Sequence, residues 1–181
     1  MPAKFGHGRS IIWQLALSPG SFEVELSNMH LDQLDRRILA ELQRDGRITN
    51  QALAERVGLS ATPCLRRVKL LEAAGIIKGY VAMVDQKAVD LPVSVFISIK
   101  LERQREEELD RFAGAVARWP EVMECYLMTG QRDYLLRVVC ADLPAYEQFL
   151  KDKLTRLDGV ASIESSFALA QVKHTNVLPI A

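Results

Sequence analysis

Two breaks, Asp45-Gly46-Arg47 and Gly58-Leu59-Ser60, cut residues 31–75 into three short helical patterns. Helices this short gain their stability by packing against one another, so the segment points to a three-helix unit. Leu31, Leu34, Ile38 and Leu42 recur at helical spacing, and Asp32 stands where an N-cap belongs. Thr49 can cap a second helix that turns Leu53, Ala54 and Val57 inward. Gly58 can take the positive φ that a tight turn needs. A third helix is expected from about Ala61 to Ala74, stopped by Gly75. Pro63 is tolerated there, because the first helical turn has no internal N–H partner to lose.

Helices two and three around Gly58-Leu59-Ser60 describe a helix-turn-helix. At 100° per residue, Cys64, Leu65, Val68 and Leu71 share a sector of roughly 120°, the expected buried seam. Thr62, Pro63, Arg66, Arg67 and Lys69 lie opposite, with Thr62, Arg66 and Lys69 nearly in line at i, i+4 and i+7. Such a face suits the major groove of double-stranded DNA. Arginine can bond guanine bidentately, threonine can meet a thymine methyl or a phosphate, and lysine can neutralise phosphate. The candidate DNA contacts are therefore Ser60 at the helix start, Thr62, Pro63, Arg66, Arg67 and Lys69. The same pattern would also fit a solvated face of an ordinary bundle, and charge bears on the choice. The chain's net charge is zero, yet residues 29–80 carry nine Lys/Arg against six Asp/Glu, and residues 81–181 carry twelve against fifteen. Only the first half is poised to meet a polyanion.

Beyond a connector at 79–92 with strand character, the pattern changes. Val93, Val95, Ile97, Ile99 and Leu101 alternate with Ser94, Phe96, Ser98 and Lys100, as in a strand. An amphipathic helix follows from Glu106 to Arg118, then strands Val122 to Thr129 and Asp133 to Ala141. Asp142 can cap a helix ending near Leu157, and a last strand runs from Val160 to Leu169. The order βαββαβ predicts a ferredoxin-like sandwich, one antiparallel sheet with two helices on one face. The other face, with Phe96 on it, suits pairing with a second copy. The fold class is thus α+β: an N-terminal three-helix winged helix-turn-helix domain at 29–78, a linker strand at 79–92 and a ferredoxin-like domain at 93–181. Residues 1–28 read as an extension, disordered or upstream of a true start at Met29. Their short apolar run, Ile11 to Leu17, lacks a cleavage site and is too short to span a membrane.

Several runs together resemble the Lrp/AsnC, or feast/famine, family of transcription regulators. They are Leu34-Asp35-Arg36-Arg37-Ile38-Leu39, Gly58 to Val68, Leu71-Glu72-Ala73-Ala74-Gly75-Ile76-Ile77 and Gly79-Tyr80. The likeness continues through Glu124-Cys125, Gly130, Asp133 to Leu136, Leu157-Asp158-Gly159-Val160 and Val172-Lys173, and spans about residues 31–178. The resemblance implies DNA binding by the first domain and dimers formed through the second. It also implies octamers or other even assemblies, and a small amino-acid effector held between dimers.

An amino acid needs an anion for its ammonium and donors for its carboxylate. Asp133 could supply the first, and backbone N–H groups around Gly130, Gln131 and Arg132 the second. Tyr126, Met128, Thr129, Leu143, Ser166, Phe167 and Ala168 complete the candidate effector set, in a region that the resemblance favours. Gln131-Arg132 stand where many relatives of the resembled family carry acidic and aromatic residues, and Arg132 would bring a cation to the site.

The three cysteines, Cys64, Cys125 and Cys140, have no metal spacing and suit free thiols in the cytoplasm. His7, His30 and His174 are scattered, and no nucleophile–base constellation is present. No cofactor and no enzyme activity is therefore expected. A ligand-independent architectural DNA binder of the same fold is the alternative.

Overall fold

The computed structural model describes residues 30–180, and the expectations for residues 1–28 lie outside them. The chain divides into two units, residues 30–83 with 172–180, and residues 84–171.

In the first unit, α1 (Gln33–Arg44), α2 (Asn50–Val57) and α3 (Ala61–Ala73) follow the sequence breaks closely. Asp32 accepts from the Asp35 N–H at 2.8 Å while the Asp35 carboxylate accepts from the Asp32 N–H, a reciprocal cap. Thr49 caps α2 through the Ala52 N–H, and Gly58 ends it at φ 77°. The Asn50 amide donates to the Ala61 carbonyl at 2.8 Å, tying the start of α2 to the start of α3. Ile38, Leu53, Val57, Cys64, Val68 and Leu71 form the core. Leu65, expected in that seam, is instead 42% exposed. It sits at the edge of the apolar sector, where the neighbouring helices cover it only in part.

A segment of the C-terminal tail belongs to this unit. The Gln43 side chain donates to the Leu178 carbonyl and accepts from the Leu178 N–H at 2.6 Å. Ile180 packs against the helical core. The linker strand expected at 79–92 is absent. Residues 78–86 take no regular structure, and a single 3₁₀ turn spans Lys87–Val89. A strand needs a hydrogen-bonding neighbour, and no described strand pairs with this segment.

The second unit runs β1 (Val93–Leu101), α4 (Glu106–Val116), β2 (Val122–Leu127), β3 (Tyr134–Cys140), α5 (Leu143–Asp152) and β4 (Val160–Phe167). The sheet order β2-β3-β1-β4, antiparallel throughout, is that of the ferredoxin-like sandwich. α5 ends five residues before the expected Leu157, because the chain tightens into a 3₁₀ turn at Leu154–Arg156. There the Thr155 hydroxyl donates to the Leu150 and Lys151 carbonyls, taking over bonds that a longer helix would have made. One sheet face builds the core with the helices, through Val95, Ile97, Ile99, Leu136, Phe112 and Phe149. No described helix is long and apolar enough to cross a membrane.

Candidate DNA interface and effector-binding site

α3 is held from behind. Cys64, Val68 and Leu71 are buried, and burial pushes the Cys64 thiol pKa up, so this sulfur is core packing rather than a reactive nucleophile. On the outward face, Thr62, Leu65, Arg66, Lys69 and Leu70 line a shallow groove of about 330 Å³. Pro63 is exposed in the first turn. Ser60 is the N-cap, yet its side chain makes no capping bond, so the hydroxyl remains available at the positive end of the helix dipole.

Arg67 departs from the expectation. Its guanidinium turns back to α1 and donates to Asp32 and Asp35, each at 2.7 Å. Those bonds raise its pKa, with Asp35 the larger contributor. Arg67 therefore braces α3 against α1 rather than facing outward with Arg66. The angular argument missed this because Arg67 flanks the buried seam, close enough for a long side chain to reach a neighbouring helix.

The candidate effector residues separate into two groups. Met128 to Asp133 form the connection between β2 and β3, with Tyr126 beside it. Gly130 adopts φ 105°, a conformation closed to most side chains. This loop lies at the C-terminal end of β1, since the Asp133 N–H donates to the Ile99 carbonyl. Leu143, Ser166, Phe167 and Ala168 lie at the opposite end, where Val95 pairs with Phe167 and Val93 with Cys140. Along β1, the loop's bond at Ile99 and the pairing of Val95 with Phe167 stand four residues apart, about 13 Å at about 3.3 Å per residue.

The charged members are also engaged. Asp133 is 4% exposed. Its carboxylate accepts from the Leu101 N–H and the Gln104 amide, both at 2.6 Å, so its first role is to fasten the loop to β1. Arg132 donates to Ser162 and Glu164 and does not project into the loop as a lone cation. Phe167 meets Tyr146 edge to face at 5.3 Å. Beside the loop, an apolar hollow of about 370 Å³ opens between α4 and β2, lined among others by Val116, Val122, Leu127 and Tyr134. Sequence reading missed it, because its walls come from segments that meet only in the fold.

The sheet face away from the helices carries Phe96 and Tyr126, 39% and 52% exposed, with Leu135 paired to Tyr126 between them. Arg137 and Glu124 form an ion pair on the same face at 3.0 Å. Among the described residues, no group of three His, Cys, Asp or Glu side chains is placed to hold a metal ion.

Residues 31–78 match the winged helix-turn-helix DNA-binding family, and residues 94–178 match the Lrp/AsnC ligand binding domain. The chain is 46% identical over 150 residues to the Bkd operon transcriptional regulator of Pseudomonas aeruginosa, covering 83% of this chain and 98% of that one. It is 43% identical over 150 residues to the leucine-responsive regulatory protein of Escherichia coli, covering 83% and 92%. Among solved structures, a transcriptional regulator from Neisseria meningitidis in complex with L-methionine superposes with a TM-score of 0.78 at 43% identity, covering 83% and 97%.

Proposed function

The chain belongs to the Lrp/AsnC family of DNA-binding transcription regulators, and we propose that α3 reads a specific DNA sequence while a small amino acid alters assembly or DNA affinity. Its relatives are regulators, and it is not an enzyme. The observation that carries the proposal is the division of α3. Cys64, Val68 and Leu71 are buried on one side, while Thr62, Arg66 and Lys69 stand together on the other. In a helix-turn-helix that outward face enters the major groove.

The active species is an assembly of copies, at least a homodimer, working in the cytoplasm where its DNA lies. The exposed Phe96 and Tyr126 of the open sheet face support sheet-to-sheet pairing. The effector reading rests on the relatives, one of which was solved with L-methionine bound. With the two groups of candidate residues toward different ends of β1, the shared pocket forms where one copy brings its Ser166 to Ala168 end against another's Thr129 to Asp133 loop. In that arrangement the loop N–H groups receive the carboxylate and the adjacent apolar hollow suits a side chain. One observation favours the alternative of a ligand-independent DNA binder: Asp133 and Arg132 already have partners.

The test is binding to the DNA upstream of the protein's own gene, against random DNA, across salt concentrations and with a panel of amino acids. Tight, salt-sensitive, sequence-selective binding shifted by one amino acid supports the full reading. Selective binding that no amino acid moves leaves the ligand-independent form. Absence of any preference over random DNA overturns sequence reading by α3.

A further inference from the structure

We propose that Leu65 is a base-reading residue that packs against the C5-methyl group of one thymine in each half-site, a deepening that rests on the assignment of α3 as recognition helix. Leu65 departs from its own helix's seam: Cys64 beside it is fully buried, yet Leu65 is 42% exposed. It stands within the groove formed by Thr62, Arg66, Lys69 and Leu70, at i−3, i+1, i+4 and i+5. Close to half of this large apolar residue is left uncovered by its own fold and is free to meet what the face binds.

Charge decides the occupant. An apolar protein partner covering Leu65 would also bury Arg66 and Lys69, and burying unpaired cations is costly. Neither has an ion-pair partner within the unit's described salt bridges. A DNA groove removes that conflict, because its phosphates receive the cations while its floor presents base edges. In the major groove, the one apolar group that a base pair displays is the thymine methyl.

Position along the helix separates the two exposed leucines. Recognition helices touch bases mainly with their N-terminal residues. Leu65 is the fifth residue of α3 and Leu70 the tenth, about 7.5 Å further along the axis at 1.5 Å per residue. Leu65 therefore reaches the groove floor where Thr62 and Arg66 do, while Leu70 lies toward the sugar–phosphate wall. Arg66 reads guanine, and Leu65 adds a preference for thymine that no cation can supply.

The experiment uses the full chain and a site selected by it from a random DNA pool. Each thymine of that site is replaced in turn by uracil, which removes the methyl and leaves the base-pairing edge intact. The expected result is one thymine per half-site at which uracil weakens binding by about fourfold, the worth of one buried methyl. Leu65→Ala, a change at an exposed position, should bind the thymine and uracil versions equally, with an unaltered circular dichroism spectrum. Leu65→Val should retain part of the discrimination. Wild-type protein that binds its selected site but tolerates uracil everywhere overturns the proposal, as does Leu65→Ala that keeps the full sensitivity. If wild type selects no sequence at all, the DNA-reading assignment of α3 falls, and the Leu65 proposal falls with it.

Discussion

The Arg67 guanidinium donates to the Asp35 carboxylate at 2.7 Å, joining α3 to the first turn of α1 at a residue that is 4% exposed. Removing the cation would leave that buried carboxylate with only the Asp32 N–H. Arg67→Ala should therefore lower the stability of the helical unit by about 1–3 kcal/mol, read from urea unfolding. Stability equal to wild type, with DNA binding lost, would show that Arg67 acts on DNA instead.

Arg66 and Lys69 carry the opposite expectation. Both are exposed on the groove side of α3, so substituting either should leave unfolding midpoints unchanged. Arg66→Ala should cost about 1–3 kcal/mol on the selected site and far less on random DNA, as a base contact does. Lys69→Ala should weaken both alike and reduce the salt slope by about one, as a phosphate contact does. Filter-binding titrations at several salt concentrations separate the two roles.

Asp32 makes the helical unit acid-sensitive. The Asp35 N–H bonded to its carboxylate, followed by the Arg67 guanidinium, holds its pKa below the ordinary 3.8, although burial pulls the other way. A carboxylate with a depressed folded pKa contributes stability that is fully present above the unfolded value and is lost as pH falls through the folded one. Unfolding midpoints should therefore decline as pH drops below about 4. Asp32→Asn keeps a capping oxygen but cannot titrate, so it should flatten this decline. An identical acid profile in wild type and variant would assign the sensitivity to other groups.

The helices, the strands and their order were legible because each is set by local chemistry: Asp32, Thr49 and Asp142 cap, Gly58 and Gly75 turn, and Val93 to Leu101 alternate. The site was legible only in part. The outward placement of Thr62, Arg66 and Lys69 follows from a helical wheel, which knows one helix. Arg67 and Leu65 were misread because their environments are decided by whether α1 and α2 reach them. Loop residues Gly130 and Asp133 were recognisable as special, but the buried bonds of Asp133 to Leu101 and Gln104 join segments about 30 residues apart. The docking of Leu178 on Gln43, 135 residues away in sequence, leaves no periodic trace.

That docking makes the tail part of the DNA-binding unit's stability. The paired bonds between Gln43 and Leu178 work together, and Ile180 adds apolar cover to the core. Truncation after Asn176 should lower the unfolding free energy of the helical unit by about 1–3 kcal/mol. Gln43→Ala should reproduce a part of that loss in the full chain and almost none in the truncated one. Additive effects of the two changes, read as a double-mutant cycle, would mean that the bonds contribute nothing.

Asp133 poses the sharpest choice between structural support and ligand contact. If its carboxylate serves to fasten the loop, what matters is an acceptor for the Leu101 N–H and a partner for Gln104. Asp133→Asn preserves an acceptor, and Gln104 can turn its amide to match the new one. Asp133→Ala leaves the buried N–H unpaired and should cost about 1–3 kcal/mol of stability. An ammonium-binding role makes a different demand, because a neutral amide cannot replace the negative charge. Calorimetric titration of the effector found in the DNA assay distinguishes them. Near-wild-type affinity in Asp133→Asn, with loss in Asp133→Ala, assigns Asp133 to the loop and leaves the ligand's ammonium to a group on another copy. Equal loss in both variants, with Asp133→Asn fully stable, would show that the carboxylate turns outward to meet the ligand when copies assemble.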